Sequence, residues 1–162
     1  MAEDELKELT PEEIEALRTI FAKEVSVGPT EEIKLMVHTE LEQLLYNNAD
    51  IQTTLLVDSA GFPVDFISKQ ETKLQGEDSL IIASANFWGL FATAERESLG
   101  INLGHVKMII TRTQNGFIFI TKCGENFALV AIVKPQAKLG VIMRELEATA
   151  KRIAEKLSGF TI

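Results

Sequence analysis

The residues that could do chemistry in this chain are few and scattered. His38 and His105 each stand alone, without a second ligand at zinc-site spacing. His38 falls in a helical pattern and reads as a helix-surface residue, while His105 stands just ahead of a strand. Cys123, the single cysteine, ends a strand beside a turn; with no histidine paired to it, packing accounts for it better than nucleophilic attack. Asp58 and Asp65 flank one predicted hairpin and mimic a carboxylate pair, but a turn-forming Asp58 and a solvent-facing Asp65 are the simpler reading. Residues 100–104 (GINLG) lack the strand–turn–helix setting of a dinucleotide loop, and no Walker pattern occurs, so the chain does not itself hydrolyse nucleotides. Arg96 and Arg112 are the candidates to face a partner, although a solvated surface also accommodates both. No catalytic residue, cofactor or metal follows from this set.

Composition narrows the classes further. With 162 residues, 46% apolar and 25% charged, the chain suits one soluble domain with an added element. A lone cysteine excludes an internal disulfide framework and fits a reducing compartment. The acidic start MAEDELKELT is no signal peptide, and no apolar run reaches the length of a membrane span, so a cytoplasmic location without membrane insertion is expected. The net charge of −8 is concentrated at the front: residues 1–50 hold 13 Asp/Glu against 4 Lys/Arg, residues 51–162 hold 11 against 12. Neither part carries the basic field that nucleic-acid binding requires.

The elements that position these residues centre on 106–133. Three strands are predicted there, Val106–Thr113, Phe117–Cys123 and Phe127–Val133, with Asn115-Gly116 placed for a type I′ turn. The last two contain continuous apolar runs, FIFI and FALVAIV, as expected where both faces of a sheet are covered. Earlier, Ile51–Ser59 and Phe62–Ser68 form a hairpin around Gly61, and Pro63 assigns its second strand to an edge. Helices are predicted at 30–47, 79–99 and 137–157, with Gly100 stopping the second of them. Thr10-Pro11-Glu12-Glu13 starts a further one with a capping box, carrying Ile14, Leu17, Ile20 and Phe21 to about Glu24 before the VSVGP break at 25–29. An acidic arm at 1–28, a domain at 29–158 and a loose tail at 159–162 follow.

Hairpin joins and the central position of the apolar runs give a five-stranded antiparallel sheet of order 2-1-5-4-3 in an α/β (α+β) sandwich. Such a sheet is roughly 24 Å wide, whereas one helix covers about 10 Å. Helices 30–47 and 137–157 can cover one face together; helix 79–99 leaves over half of the other open. On that helix Leu80, Ala83, Phe87, Leu90, Phe91 and Ala94 make one apolar sector, and Ile81, Ala85, Trp88, Gly89, Ala92 and Leu99 a second, about 120° away at 100° per residue. The strand 106–113 is an edge with no proline and few charges, a template for another chain. A homodimer is therefore expected, with Ile81, Ala85, Trp88, Gly89, Ala92, Val106, Met108 and Ile110 at its interface.

LLVDSAG at 55–61, IIASANFWGLFATAERE at 81–97, the NG-turned meander and KPQAKLGVIMREL at 134–146, in that order and spacing, resemble the Roadblock family of dynein light chain-related domains. The resemblance covers about residues 31–158. It implies a two-fold dimer through the third strand and middle helix, and a non-enzymatic scaffold or regulator of a small Ras-like GTPase. Arg96 and Arg112 would then be the arginines to test against that partner. The acidic N-terminal helix departs from the family core. Sheets of this order also occur in PAS-like, small-molecule-sensing domains; those keep a pocket with convergent polar groups, and the apolar runs offer no such lining.

Overall fold

Residues 10–16, 31–70 and 72–158 are described by the structure, a computed structural model. Helix α1 (Glu31–Asn47) leads into strands β1 (Ile51–Asp58) and β2 (Pro63–Ser68). A 3₁₀ turn (Lys73–Gln75) and the long helix α2 (Glu77–Gly100) follow, then β3 (Met108–Thr113), β4 (Gly116–Cys123), β5 (Phe127–Val133) and α3 (Leu139–Ser158). The sheet is antiparallel throughout, in the order β2-β1-β5-β4-β3. Residues 11–16 add a helical turn in front, and its capping box is formed: Glu13 Oε2 accepts from the Thr10 N–H at 2.9 Å, and Thr10 Oγ1 from the Glu13 N–H at 3.2 Å. The expected course of that helix beyond 16, the break at 25–29 and the tail at 159–162 lie outside the described residues.

The apolar runs occupy the middle of the sheet because each strand there serves two cores. Phe119, Leu129, Ala131 and Leu56 point to the side covered by α1 and α3, while Ile120, Ala128, Val130 and Leu55 point to the side of α2. Alternation along a strand sends neighbours to opposite faces, so two apolar layers demand an uninterrupted apolar sequence. The layers are unequal. α1 and α3 sink Ile33, Val37, Leu41, Leu44, Leu45, Ile142, Leu146, Ile153 and Leu157 into theirs, whereas Phe91 is the one large apolar side chain of α2 that is fully buried.

Three local expectations change. The β3–β4 loop is Gln114-Asn115, with Thr113 opposite Gly116, and among the described residues Asn102 is the one non-glycine with positive φ; no type I′ turn is made at Asn115-Gly116. Strand β3 begins at Met108 rather than Val106, and the Val106 N–H is satisfied by the Glu95 carboxylate instead of a strand. Helix α2 starts two residues earlier than predicted and includes Gly100, its cap falling on Ile101. Gly61 does take the left-handed conformation (φ +83°), and its bare Cα lets the β1–β2 turn lie on α2: a Cβ there would stand 3.1 Å from the Cα of Ala85.

One buried charge joins the two helices of the fuller layer. Glu40 on α1 accepts from Arg152 Nε at 3.0 Å and Lys156 Nζ at 2.8 Å on α3. Burial alone would raise its carboxyl; the hydrogen bonds and charges of Lys156 and Arg152 outweigh that and hold it below the ordinary carboxylate range. A lowered folded value means the stabilisation is fully present above the unfolded pKa and is lost as pH falls through the folded one. Glu40→Gln should therefore cost about 1–3 kcal/mol near neutral pH, and the deficit should shrink in acid. Urea unfolding of both proteins across pH checks this; a deficit unchanged between neutral and strongly acidic pH would show that charge is not its source. None of the described helices is long and apolar enough to cross a membrane.

Candidate interaction surface

The outer side of β3 meets no other strand, and Arg112 is its one charged residue. Cross-strand partners in an antiparallel pair share a face. Ile110 and Arg112, opposite Phe119 and Phe117, therefore lie on the α1/α3 side with Met108. Ile109 packs on the α2 side with Val106, Ile118 and Trp88. The edge thus presents apolar atoms above and below its unpaired backbone, with Ile110 38% exposed.

On the other face of the sheet, α2 turns an uncommitted side outward. Ala85 and Gly89 are exposed, Ile81 and Ile82 are 38% and 62% exposed, and a Cβ at Gly89 would meet nothing within 4 Å. The two-sector reading is corrected in detail. Trp88 is half-buried against the sheet layer, tilted onto Phe91 with ring centroids 5.9 Å apart, so it flanks the open face rather than centring it. Leu90, expected inward, is 52% exposed. Ala92 is half-buried beside Trp88 on the same flank.

The connection from α2 to β3 is held by a residue the sequence reading missed. Glu95 Oε1 accepts from His105 Nδ1 at 2.7 Å and from the Val106 N–H at 3.3 Å, with Lys122 Nζ 4.0 Å from its other oxygen. Burial would raise this carboxyl, but the His105 hydrogen bond, the Lys122 charge and the Val106 N–H together lower it. The cluster fixes the loop that delivers β3 to the sheet edge. A glutamate at the end of an apolar helical sector, ten residues before a lone histidine, was its only sequence trace.

The remaining chemically capable residues are structural. His38 Nδ1 lies 2.8 Å from Asp65 Oδ2, tying α1 to edge strand β2; Asp65 is thus engaged rather than solvent-facing. Asp58 Oδ1 accepts from the Ala60 and Phe62 N–H groups and shapes the β1–β2 turn. The Cys123 thiol is buried and donates to the Ala150 carbonyl, 3.3 Å away; burial pushes it up to about 12. Arg96 is exposed on α2 and Arg112 lies on the opposite face of the sheet, so the two candidate arginines do not form one cluster. A cleft of about 930 Å³ runs between the 103–107 loop and α3. It opens to solvent and mixes Lys107, Lys122 and Lys151 with Glu125 and Glu147, unlike an enclosed ligand pocket.

A five-stranded sheet of this order, clad by two helices on one side and a single helix beside an open edge on the other, defines the Roadblock type of sandwich. The chain belongs to the Roadblock/LC7 domain family, whose model matches residues 38–133. Similar solved structures include a Roadblock/LC7 domain from Streptomyces avermitilis, with TM-score 0.65 and 15% identity over 74% of this chain and 95% of that one. The gliding protein MglB from Thermus thermophilus superposes with TM-score 0.71 at 15% identity, covering 83% of this chain and 97% of its own. MglB of Myxococcus xanthus gives 0.72 at 14%, with the same two coverages, 83% and 97%. Such low identities establish a shared fold. A sequence comparison with curated proteins gives no match.

Proposed function

We propose that this protein is a homodimeric scaffold that binds a small Ras-like GTPase in the cytoplasm and regulates it by positioning, without a catalytic side chain of its own. The observation that carries the reading is that two surfaces stand without a partner, the outer edge of β3 and the exposed Gly89 side of α2, both of which a second copy could cover. Ile81, Trp88, Ala92, Val106, Met108 and Ile110 border these surfaces and complete the proposed interface. Self-association has a parallel in a similar structure, an MglB with a tetrameric arrangement. The GTPase follows from the family resemblance, and the absence of an assembled acid, base or phosphate loop among the described residues supports the positioning role. Residues 1–28 act in this reading as an accessory arm on a domain spanning 29–158.

The test is binding of the small GTPases of the source organism, loaded with GDP or a non-hydrolysable GTP analogue, by the full chain and by a chain beginning at Pro29. One nucleotide state should be preferred by roughly tenfold or more, and the shorter chain should bind as well as the full one. Failure to bind any of them in either state would remove the GTPase from the reading. A melting temperature more than about 10 °C lower in the shorter chain would show instead that the arm covers the sheet, since 1 kcal/mol is worth roughly 2–4 °C at this size.

A further inference from the structure

Helix α1 has apolar residues on two opposite faces, and the fold uses one of them. Ile33, Val37, Leu41, Leu44 and Leu45 are buried against the sheet and α3. On the far side Leu35 and Tyr46 are 67% and 62% exposed. α3, the other helix of this layer, has Val141 as its only exposed large apolar residue. The outward positions Leu35, Thr39, Glu42 and Tyr46 follow the 4-3-4 spacing along which two helices pack and span about 16 Å at the helical rise; the stripe is apolar at its two ends and carries Glu42, 3.6 Å from His38 Nε2, between them. Thr39 lies within this stripe and donates its hydroxyl to the Leu35 carbonyl at 2.9 Å, which satisfies the polar group within α1 itself. At about 100° per residue, Glu31 and Glu32 fall about 50° either side of the middle of the stripe and Glu42 lies within it, whereas the nearest Lys or Arg of α1, Lys34, is about 110° from its middle.

We infer that this stripe docks an amphipathic α-helix of a different polypeptide, one with lysines and arginines flanking its apolar seam. Charge selects the occupant. The chain's own first 28 residues carry eight Asp/Glu against three Lys/Arg, the wrong sign for this surface, and the described part, 10–16, is exposed throughout. A second copy would set Glu31, Glu32 and Glu42 against the same three residues. A basic helix places apolar side chains on Leu35 and Tyr46 and cations on the glutamates, the mode by which helices fill exposed apolar seams. α1 packs over β1, β2 and α3, at the opposite edge of the sheet from β3, so this docking leaves the proposed dimer surface free.

The probe is a dye-labelled synthetic helix of about 18 residues with leucines at 4-3-4 spacing and flanking lysines, compared with a peptide carrying glutamates in place of the lysines. Anisotropy should show saturable binding of the basic peptide to the full chain and none of the acidic one. Leu35→Ser combined with Tyr46→Ser, both at exposed positions, should weaken binding tenfold or more without lowering the melting temperature. Glu31→Lys, Glu32→Lys and Glu42→Lys together should transfer binding to the acidic peptide. No saturable binding, or binding indifferent to the Leu35 and Tyr46 changes, would overturn the inference. A fall in mass of the double variant by light scattering would assign the stripe to a second copy. Much tighter peptide binding by a chain beginning at Pro29 would assign it to the N-terminal arm.

Discussion

Gly89→Lys should turn the proposed dimer into a well-folded monomer. In the single chain nothing opposes the new side chain, for a Cβ at Gly89 meets no atom within 4 Å. Replacing glycine inside a helix removes a cost of about 0.5–1 kcal/mol, so the isolated domain should melt no lower than before. In the dimer the same ammonium would lie at the contact between paired α2 helices, where an unpaired buried charge costs several kcal/mol. Ala85→Lys, one turn earlier, would also disturb the β1–β2 turn that lies against Ala85, so Gly89→Lys is the cleaner probe. Light scattering and thermal melting read the two effects separately. A Gly89→Lys protein that stays dimeric at low micromolar concentration would move the interface away from this face.

The second large effect concerns GTP hydrolysis by the proposed GTPase partner. A scaffold that orders the partner's own switch residues loses little when one exposed arginine is removed, whereas an arginine finger is worth about 10³–10⁵ in turnover. Arg96 and Arg112 lie on opposite faces of the sheet, so one GTPase active site could not use both from a single subunit. Arg96→Ala and Arg112→Ala should each keep most of any stimulation, while Gly89→Lys should abolish it where binding spans both subunits. Single-turnover GTP hydrolysis with each variant decides. A thousand-fold loss from one arginine with binding intact would make that residue catalytic.

How much of this was legible in the sequence depended on how far apart the causes lay. FIFI and FALVAIV announced a doubly covered sheet because two-sided burial leaves its mark within a single strand. Pro63 announced an edge, since a missing N–H is a local property. Together with the hairpin joins they were enough for the order 2-1-5-4-3. The surface was legible as a helix with too many apolar residues, but not residue by residue. A wheel cannot say where the sheet tangent falls, so Trp88 and Leu90 exchanged roles. The Glu40 cluster stayed invisible because its partners stand 112 and 116 residues away; Glu95 was missed although His105 is ten residues on, because that contact depends on how the chain turns from α2 into β3. The Asn115-Gly116 signal failed for the reverse reason: a dipeptide preference yielded to the β3–β4 register, which pairs Gly116 with Thr113 inside the ladder and leaves Gln114-Asn115 as the loop.

The single thiol has a consequence of its own. Cys123 sits at the end of β4 under α3, buried and bonded to the Ala150 carbonyl, with its acidity suppressed to about 12. Near neutral pH the thiol stays protonated, and its burial closes it to reagent. Any labelling must therefore wait for α3 to lift from the sheet. The protein carries a built-in clock for that event: under conditions of fast chemistry the labelling rate is the opening rate of the α3–β4 contact, and under slow chemistry it is the fraction of time spent open. Because α2 lies on the other face of the sheet, changes confined to it should leave this clock nearly unchanged, while anything that grips α3 against the sheet should slow it.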